Sequence, residues 1–340
     1  MESKSLYYLS PGVVEVRSEV VPDPGPNQVL VRTRYSAISH GTEMLLYRGQ
    51  FPDRIALDES IPSLSGGVNY PLKYGYAQVG EIIQVGSEVD QRWIGKNVFA
   101  FHPHSSCFVS GIKDLQIIPD GLKLEDALFF ANMETAVGFA MDGGPAIGER
   151  VVVFGQGIVG LLTTSLLATY PLECLITLDH FDLRRQASLD MGADTSLDPG
   201  KANYFSDTNH KDDGDLVHNA DLVFELTGNP AVLNHAIEAA AYEGKIIVGS
   251  WYGKKEVHLE LGGWFHRGRL KLISSQVSRI NSTFSARWEK ERRYQLTWEM
   301  LRQVKPSRLV THTIPIEDAK KAFDLLDKKP GDAIQVIFEY

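Results

Sequence analysis

Gly155, Gly157 and Gly160 stand at G-x-G-x-x-G spacing in "VVVFGQGIVGLL", and Asp179 closes the segment that follows. Each residue type has chemistry to do. One glycine permits a tight turn, one lets backbone approach a pyrophosphate, and one lets a helix pack closely on a strand, while N–H groups at the helix start attract the anion. An acid roughly twenty residues further on accepts hydrogen bonds from a ribose 2′-hydroxyl and repels a 2′-phosphate. The pattern predicts a dinucleotide site made by Gly155, Gln156, Gly157, Ile158, Val159, Gly160 and Asp179, with NAD preferred. Arg184 and Arg185 follow closely enough to reach a phosphate, so NADP stays open.

Two other stretches concentrate reactive side chains. "FHPHSSC" carries His102 and His104. Two histidines at i and i+2 on a strand face one side and can form a relay or a metal site, or an exposed inert pair; of the two, His104 is the candidate. "GGWFHRGRLKLISSQVSRINSTFSARWEKERR" gathers His266, Arg267, Arg269, Arg279, Arg287, Arg292 and Arg293 in an otherwise acidic protein. Arginine forks suit a carboxylate or phosphate. His266, Arg267 and Gln276 are the anion candidates, and Arg292 and Arg293 read as a solvated helix face among Glu289 and Glu291.

The elements that hold these residues are legible too. Val151, Val152 and Val153 form a β-branched run suited to a strand buried on both faces. The apolar run after Gly160 fits a buried helix that Pro171 ends, and Cys174 to Leu178 make a second strand delivering Asp179. That βαβ reading, with its three glycines, displaces a membrane span, which the length alone permits. Strands and helices go on alternating through "ADLVFELTGNP", "AVLNHAIEAAAYEG" and "KIIVGSW", as a doubly wound parallel sheet requires. Ligands bind beyond strand C-termini in such sheets, which adds Thr227, Gly228, Gly249 and Ser250 to the cofactor set. Before about Leu124 the pattern is short β runs separated by Gly and Pro, interrupted by the long irregular Arg48–Gly75 segment; the last stretch reads as a helix and a terminal strand that can rejoin this part.

With 340 residues the chain has room for two cores. A formal charge of −9 argues against a nucleic-acid surface. The N-terminus has no signal-peptide core, and Cys107 and Cys174 form no C-x-x-C pair, so the expectation is a cytoplasmic protein with ordinary thiols and no membrane partner.

"SHGTE" (Ser39 to Glu43), "YPLKYGYAQVGEIIQVG", "GKNVFAF" and "GERVVVFGQGIVG" together resemble the C-G-T-D, P-x-x-x-G-H-E-x-x-G-x-V, G-D-R-V and cofactor-entry elements of the medium-chain dehydrogenase/reductase superfamily. Within it, the S-x-G-T-E element and G-Y in place of G-H resemble a zinc-free branch that includes bacteriochlorophyllide a dehydrogenase. The resemblance implies an α/β chain with a GroES-like β-rich catalytic domain over residues 1–123, completed by about 295–340, and a Rossmann NAD-binding domain over 124–294. It implies hydride transfer between NAD(H) and an alcohol or carbonyl of a polar or anionic small molecule, in a homodimer paired through the "LKLISSQ" strand. The zinc-binding members hold their metal with cysteine, histidine and a further cysteine or glutamate; here those positions carry His40, Tyr76 and a residue between Ala131 and Glu134. Tyrosine is a poor zinc ligand, so no metal is expected. Tyr76 is then the expected proton donor, with His40 and Thr42 flanking it, Thr42 at the relay hydroxyl and Glu43 at the supporting acid. Two alternatives stay open: a quinone or enoyl reductase, and a nucleotide-binding sensor without catalysis.

Overall fold

The computed structural model describes residues 1–52, 55–58, 61–64, 66–200 and 217–340. It divides into two compact units, one of Met1–Ala131 with Leu301–Tyr340 and the other of Asn132–Met300. Part of the irregular stretch between Arg48 and Gly75 falls outside the described residues.

In the second unit the valine run does what its composition predicts: Val151, Val152 and Val153 are buried in the strand Arg150–Phe154. Among the described residues the sheet has six strands in the order Thr195–Leu197, Cys174–Leu178, Arg150–Phe154, Ala220–Glu225, Ala240–Val248, Lys271–Ser274. All neighbours run parallel, and Val152 pairs with Ile176 on one side and Val223 on the other. The chain winds outward in one direction from Arg150–Phe154 and then in the other, the doubly wound order that opens a ligand crevice beyond the carboxyl ends of the central strands. The helix Ile158–Leu167 starts directly after the glycine turn. "AAYEG" reads as the end of a helix, but the helix stops at Ala239 and the strand begins at Ala240, which pairs with Ala220. Sheet pairing overrides alanine's helical propensity there. No described helix is long and apolar enough to cross a membrane.

In the first unit Gln28–Ala37 is the organising strand. It pairs antiparallel with Gln78–Val85, with Cys107–Gly111 and with the C-terminal strand Gln335–Glu339, bringing Ile337 opposite Ala37. Val29, Val31, Ile82, Val98 and Phe108 fill one core. A second core joins Leu6, Tyr8, Leu46, Phe51 and Tyr74 to Phe323 and Phe338. Phe323 comes from Ala319–Lys328, a helix whose buried stripe is Ala319, Ala322, Phe323 and Leu326, and it stacks on Tyr47 at 5.1 Å. The short helix Thr42–Tyr47, buried along almost its whole length, thereby holds the "SHGTE" turn against the core.

Candidate functional site

At the glycine turn of the second unit, two positions explain the residue type. Gly155 adopts φ +91°, a left-handed conformation, with the Leu226 carbonyl oxygen 2.7 Å from where a Cβ would stand. A Cβ at Gly160 would lie 2.0 Å from the Gly155 carbonyl oxygen. Gly157 faces open space instead, as the approach of a pyrophosphate requires, and no side chain caps the helix it starts. Gln156 is buried, donates to the Gly155 carbonyl at 3.1 Å and accepts from Thr164 at 3.0 Å, so it braces the turn from within. Asp179 is tied to the same turn: one carboxylate oxygen accepts the Gln156 N–H at 2.8 Å and the other the Phe181 N–H at 2.9 Å.

The nearby arginines have partners. Arg185 donates to the carbonyls of Asp179 and His180, each at 2.8 Å, and pairs with Asp182. Arg184 lies over the Phe181 ring with its guanidinium 3.9 Å from the Asp179 carboxylate. Burial holds Arg184 below the usual arginine pKa, and Asp179 opposes that shift.

Thr227, Gly228, Gly249 and Ser250 follow two adjacent strands and meet around Glu225, a buried carboxylate the sequence reading missed. Glu225 accepts the Thr227 N–H at 2.8 Å, the Thr227 hydroxyl, and the Tyr252 hydroxyl at 2.5 Å. The Ser250 hydroxyl accepts the Gly228 N–H at 2.8 Å. One acid thus fastens both loops at the carboxyl end of the sheet.

In the first unit Glu43 plays a similar part. It is fully buried and receives three donors: the Ser39 N–H at 2.8 Å, the Tyr8 hydroxyl at 2.6 Å and His104 Nε2 at 2.9 Å. The carboxylate partner assigns the His104 proton to Nε2, so Nδ1 accepts from the Ser36 hydroxyl at 2.7 Å, and Ser36 in turn accepts from Tyr340 at 2.7 Å. Every donor in this chain is aimed toward Glu43. Burial raises the Tyr8 pKa well above its ordinary value, and the adjacent Glu43 adds to the shift.

Above this buried floor, Ser39, His40, Thr42 and Tyr76 are half-buried and form a rim. The Tyr76 hydroxyl donates to the Ser39 hydroxyl, and Thr42 also hydrogen-bonds the phenol. Burial raises the Tyr76 pKa, hydrogen bonding with Ser39 and Thr42 acts against it, and the charges of Glu43 and Asp58 add to it.

Two sequence expectations change here. His102 and His104 lie in irregular backbone, not on a strand, and they face different neighbours. His104 is sealed in the Glu43 network, whereas His102 stacks on Phe108 at 4.0 Å. Arg293 is no part of a solvated face either. It is buried and its guanidinium donates to Glu134 at 2.5 and 3.1 Å and to the Val277 carbonyl at 2.5 Å. The other arginines disperse to separate partners: Arg269 to Glu243 at 3.3 Å, Arg292 over Trp288, Arg287 over Phe284. His266 and Arg267 are exposed after the helical turn Leu261–Phe265, and Gln276 spends both ends of its amide on Ser278.

Residues 25–123 match the alcohol dehydrogenase GroES-like domain. D-guloside 3-dehydrogenase of Escherichia coli K12 is 23% identical over 290 residues, 81% of each chain. Two solved structures share the fold over nearly the whole chain. A short chain alcohol dehydrogenase of Escherichia coli CFT073 complexed with NADH has TM-score 0.78 and 18% identity, covering 100% of this chain and 99% of its own. A Sinorhizobium meliloti 1021 protein assigned as a zinc-binding dehydrogenase and bound to NADP has TM-score 0.77 and 18% identity, covering 100% of both. In this domain match and in its overall fold the chain is similar to dehydrogenases of the medium-chain type. It is an oxidoreductase of the alcohol-dehydrogenase type.

Sequence reasoning marked the glycine turn, Asp179 and the "SHGTE" turn, gave Ser39 no role of its own, placed Arg293 on a solvated face and missed Glu225 and Tyr252. Signals existed for two of them. Glu225 ends the apolar strand "ADLVFE", where an acid has no reason to be unless loops beyond it need an acceptor. Arg293 falls in register with Thr297 and Leu301, the buried i, i+4, i+8 stripe of the helix Lys290–Val304.

Proposed function

We propose that this medium-chain dehydrogenase transfers hydride between NAD(H) and a secondary alcohol or ketone of a polar small molecule, without zinc, and that Tyr76 handles the substrate proton. The observation that carries the reading is the rim itself: a half-buried phenol, hydrogen-bonded to two hydroxyls, where zinc-binding members place a metal ligand. A phenol donates to a developing alkoxide, and does so more effectively when neighbours hold it in place.

The residues at the metal positions do not fit a catalytic zinc. Tyr76 is a poor ligand, and the Glu134 carboxylate is committed to Arg293. Among the described residues no three His, Cys, Asp or Glu side chains gather as a metal site. The dinucleotide residues do fit their group. Gly157 leaves room for the pyrophosphate, the start of the helix Ile158–Leu167 supplies N–H groups, and Asp179 at the strand end suits a ribose diol. Bound nicotinamide supplies or accepts the hydride; the chain's own residues bind it, orient the substrate and move the proton. NAD is favoured because Asp179 repels a 2′-phosphate, while Arg185 is engaged with Asp182 and backbone carbonyls.

The same reading includes a homodimer through the edge strand Lys271–Ser274, which has a sheet neighbour on one side only among the described strands, and a cytoplasmic setting that suits the free thiols of Cys107 and Cys174. The GroES-like match and the carbohydrate-directed relative favour an alcohol substrate over an enone.

The test is Tyr76→Phe, which keeps the ring and removes one donor. Turnover of a panel of glycosides, polyols and hydroxy amino acids with NAD, followed by NADH absorbance, should fall about a hundredfold to a thousandfold while NADH affinity holds. Undiminished turnover would return Tyr76 to a packing role.

A further inference from the structure

Ser39 meets Tyr76 from the turn that leads into the helix Thr42–Tyr47. Its hydroxyl meets the Tyr76 phenol, its backbone N–H is fixed by Glu43 at 2.8 Å, and Glu43 is itself held by Tyr8 and His104 inside the protein. The line Ser36–His104–Glu43–Ser39–Tyr76 therefore runs unbroken from the buried core to the rim. A hydroxyl needed only to satisfy itself would not require a fully buried acid, with three donors of its own, to position its backbone.

We infer that Ser39 and Tyr76 work as a hydroxyl pair in the reaction: Tyr76 passes the proton to and from the substrate oxygen, and Ser39, positioned by Glu43 and His104 and assisted by Thr42, holds the phenolate that Tyr76 leaves behind. This rests on Tyr76 being the proton donor. In the reducing direction the Tyr76 O–H bond breaks and an O–H bond forms from the carbonyl π pair on the substrate oxygen; reduced nicotinamide, held by the glycine turn and Asp179, would supply the hydride that the carbonyl carbon gains. The bonding pair of the phenol stays on Oη, and the Ser39 hydroxyl, which accepts from the phenol before the transfer, turns its own proton to donate to the phenolate beside Thr42. A proton from solvent restores the phenol. Oxidation runs the same steps backwards, with the phenolate as base.

The pairing assigns His104 and Glu43 a positioning role. Sealed from solvent, they do not meet substrate; Glu43 holds the Ser39 backbone N–H, and His104 holds Glu43. The titratable groups facing Tyr76 are Glu43, Asp58 and Tyr74. Both acids oppose a phenolate, which leaves the hydroxyl donors as the groups that favour it.

The experiment places 3-fluorotyrosine at position 76 alone and follows its ionisation by 19F NMR in the full chain, beside turnover of the substrate panel with natural Tyr76. Loss of a hydrogen bond to a charged oxygen moves a pKa by about one unit. Ser39→Ala should therefore raise the midpoint by about one pH unit and cut turnover at least tenfold, and Ser39→Thr, which keeps the hydroxyl, should restore both. A midpoint unmoved by Ser39→Ala overturns the pair whatever the turnover shows. A midpoint that moves as expected, with Tyr76→Phe fully active, overturns instead the assignment of Tyr76 as donor and leaves the hydroxyl contact intact, so the two failures are separable. His104→Gln should move the midpoint in the same direction by less; a shift larger than that of Ser39→Ala would place the control in the acid network and not in the serine.

Discussion

Asp179 ties the glycine turn together and is the residue proposed to select the nucleotide. Its carboxylate accepts the Gln156 N–H of the glycine turn and the Phe181 N–H just before the helix Asp182–Asp190, so replacing it disturbs the turn as well as the proposed ribose contact. Asp179→Ser is expected to weaken NADH binding by roughly 1–3 kcal/mol, the scale of a hydrogen bond to a charged group, and to narrow the gap to NADPH because the repulsion disappears. Fluorescence titration with both nucleotides checks this, and wild-type protein that already prefers NADPH would refute the role given to Asp179. The glycines of this turn were legible from their spacing alone, because a left-handed residue and a backbone-on-backbone contact admit few residue types. The partners of Arg184 and Arg185 were not legible, since a sequence shows that two cations follow an acid without showing which of them is consumed by Asp182.

At the scale of elements, the glycine turn and its helix stand or fall together. A methyl group at Gly160 would lie 2.0 Å from the Gly155 carbonyl oxygen, and that atom is backbone and cannot swing aside. Gly160→Ala should force the helix Ile158–Leu167 away from its strand, lower stability by about 1–3 kcal/mol and weaken nucleotide binding; thermal melts with and without NADH report both. A fully stable, NADH-binding Gly160→Ala protein would contradict the packing described. The strand Arg150–Phe154 was predictable because three consecutive β-branched residues have one economical environment, a sheet covered on both faces. The start of the strand at Ala240 was not, because three alanines carry no periodicity and only pairing with Ala220 decides their state.

For the molecule as a whole, the question is which cation, if any, the catalytic machinery employs. Glu134 and Arg293 form a buried pair, and a carboxylate so engaged would have to give up a guanidinium in order to bind an ion. Removing one partner of such a pair typically costs about 3–5 kcal/mol, which is the scale of the obstacle. Protein purified without added metal should therefore carry far less than one zinc per chain by elemental analysis, and chelators should leave turnover unchanged. Stoichiometric zinc lost together with activity would return His40 and Glu134 to the metal.

From sequence alone came the β-rich first part, the doubly wound parallel sheet with its glycine turn and the acid at the strand end, all of them local patterns: a spacing, a periodicity, a residue type at one place. Only the tertiary structure decided who partners whom. It sealed His104 behind Glu43, turned Arg293 inward from what reads as a solvated helix, and set Ser39 against Tyr76, 37 positions away in the chain. The reason is physical. Hydrogen-bond and ion-pair partners are selected by the need to satisfy every polar group that folding buries, and that need arises only when distant segments have already packed together.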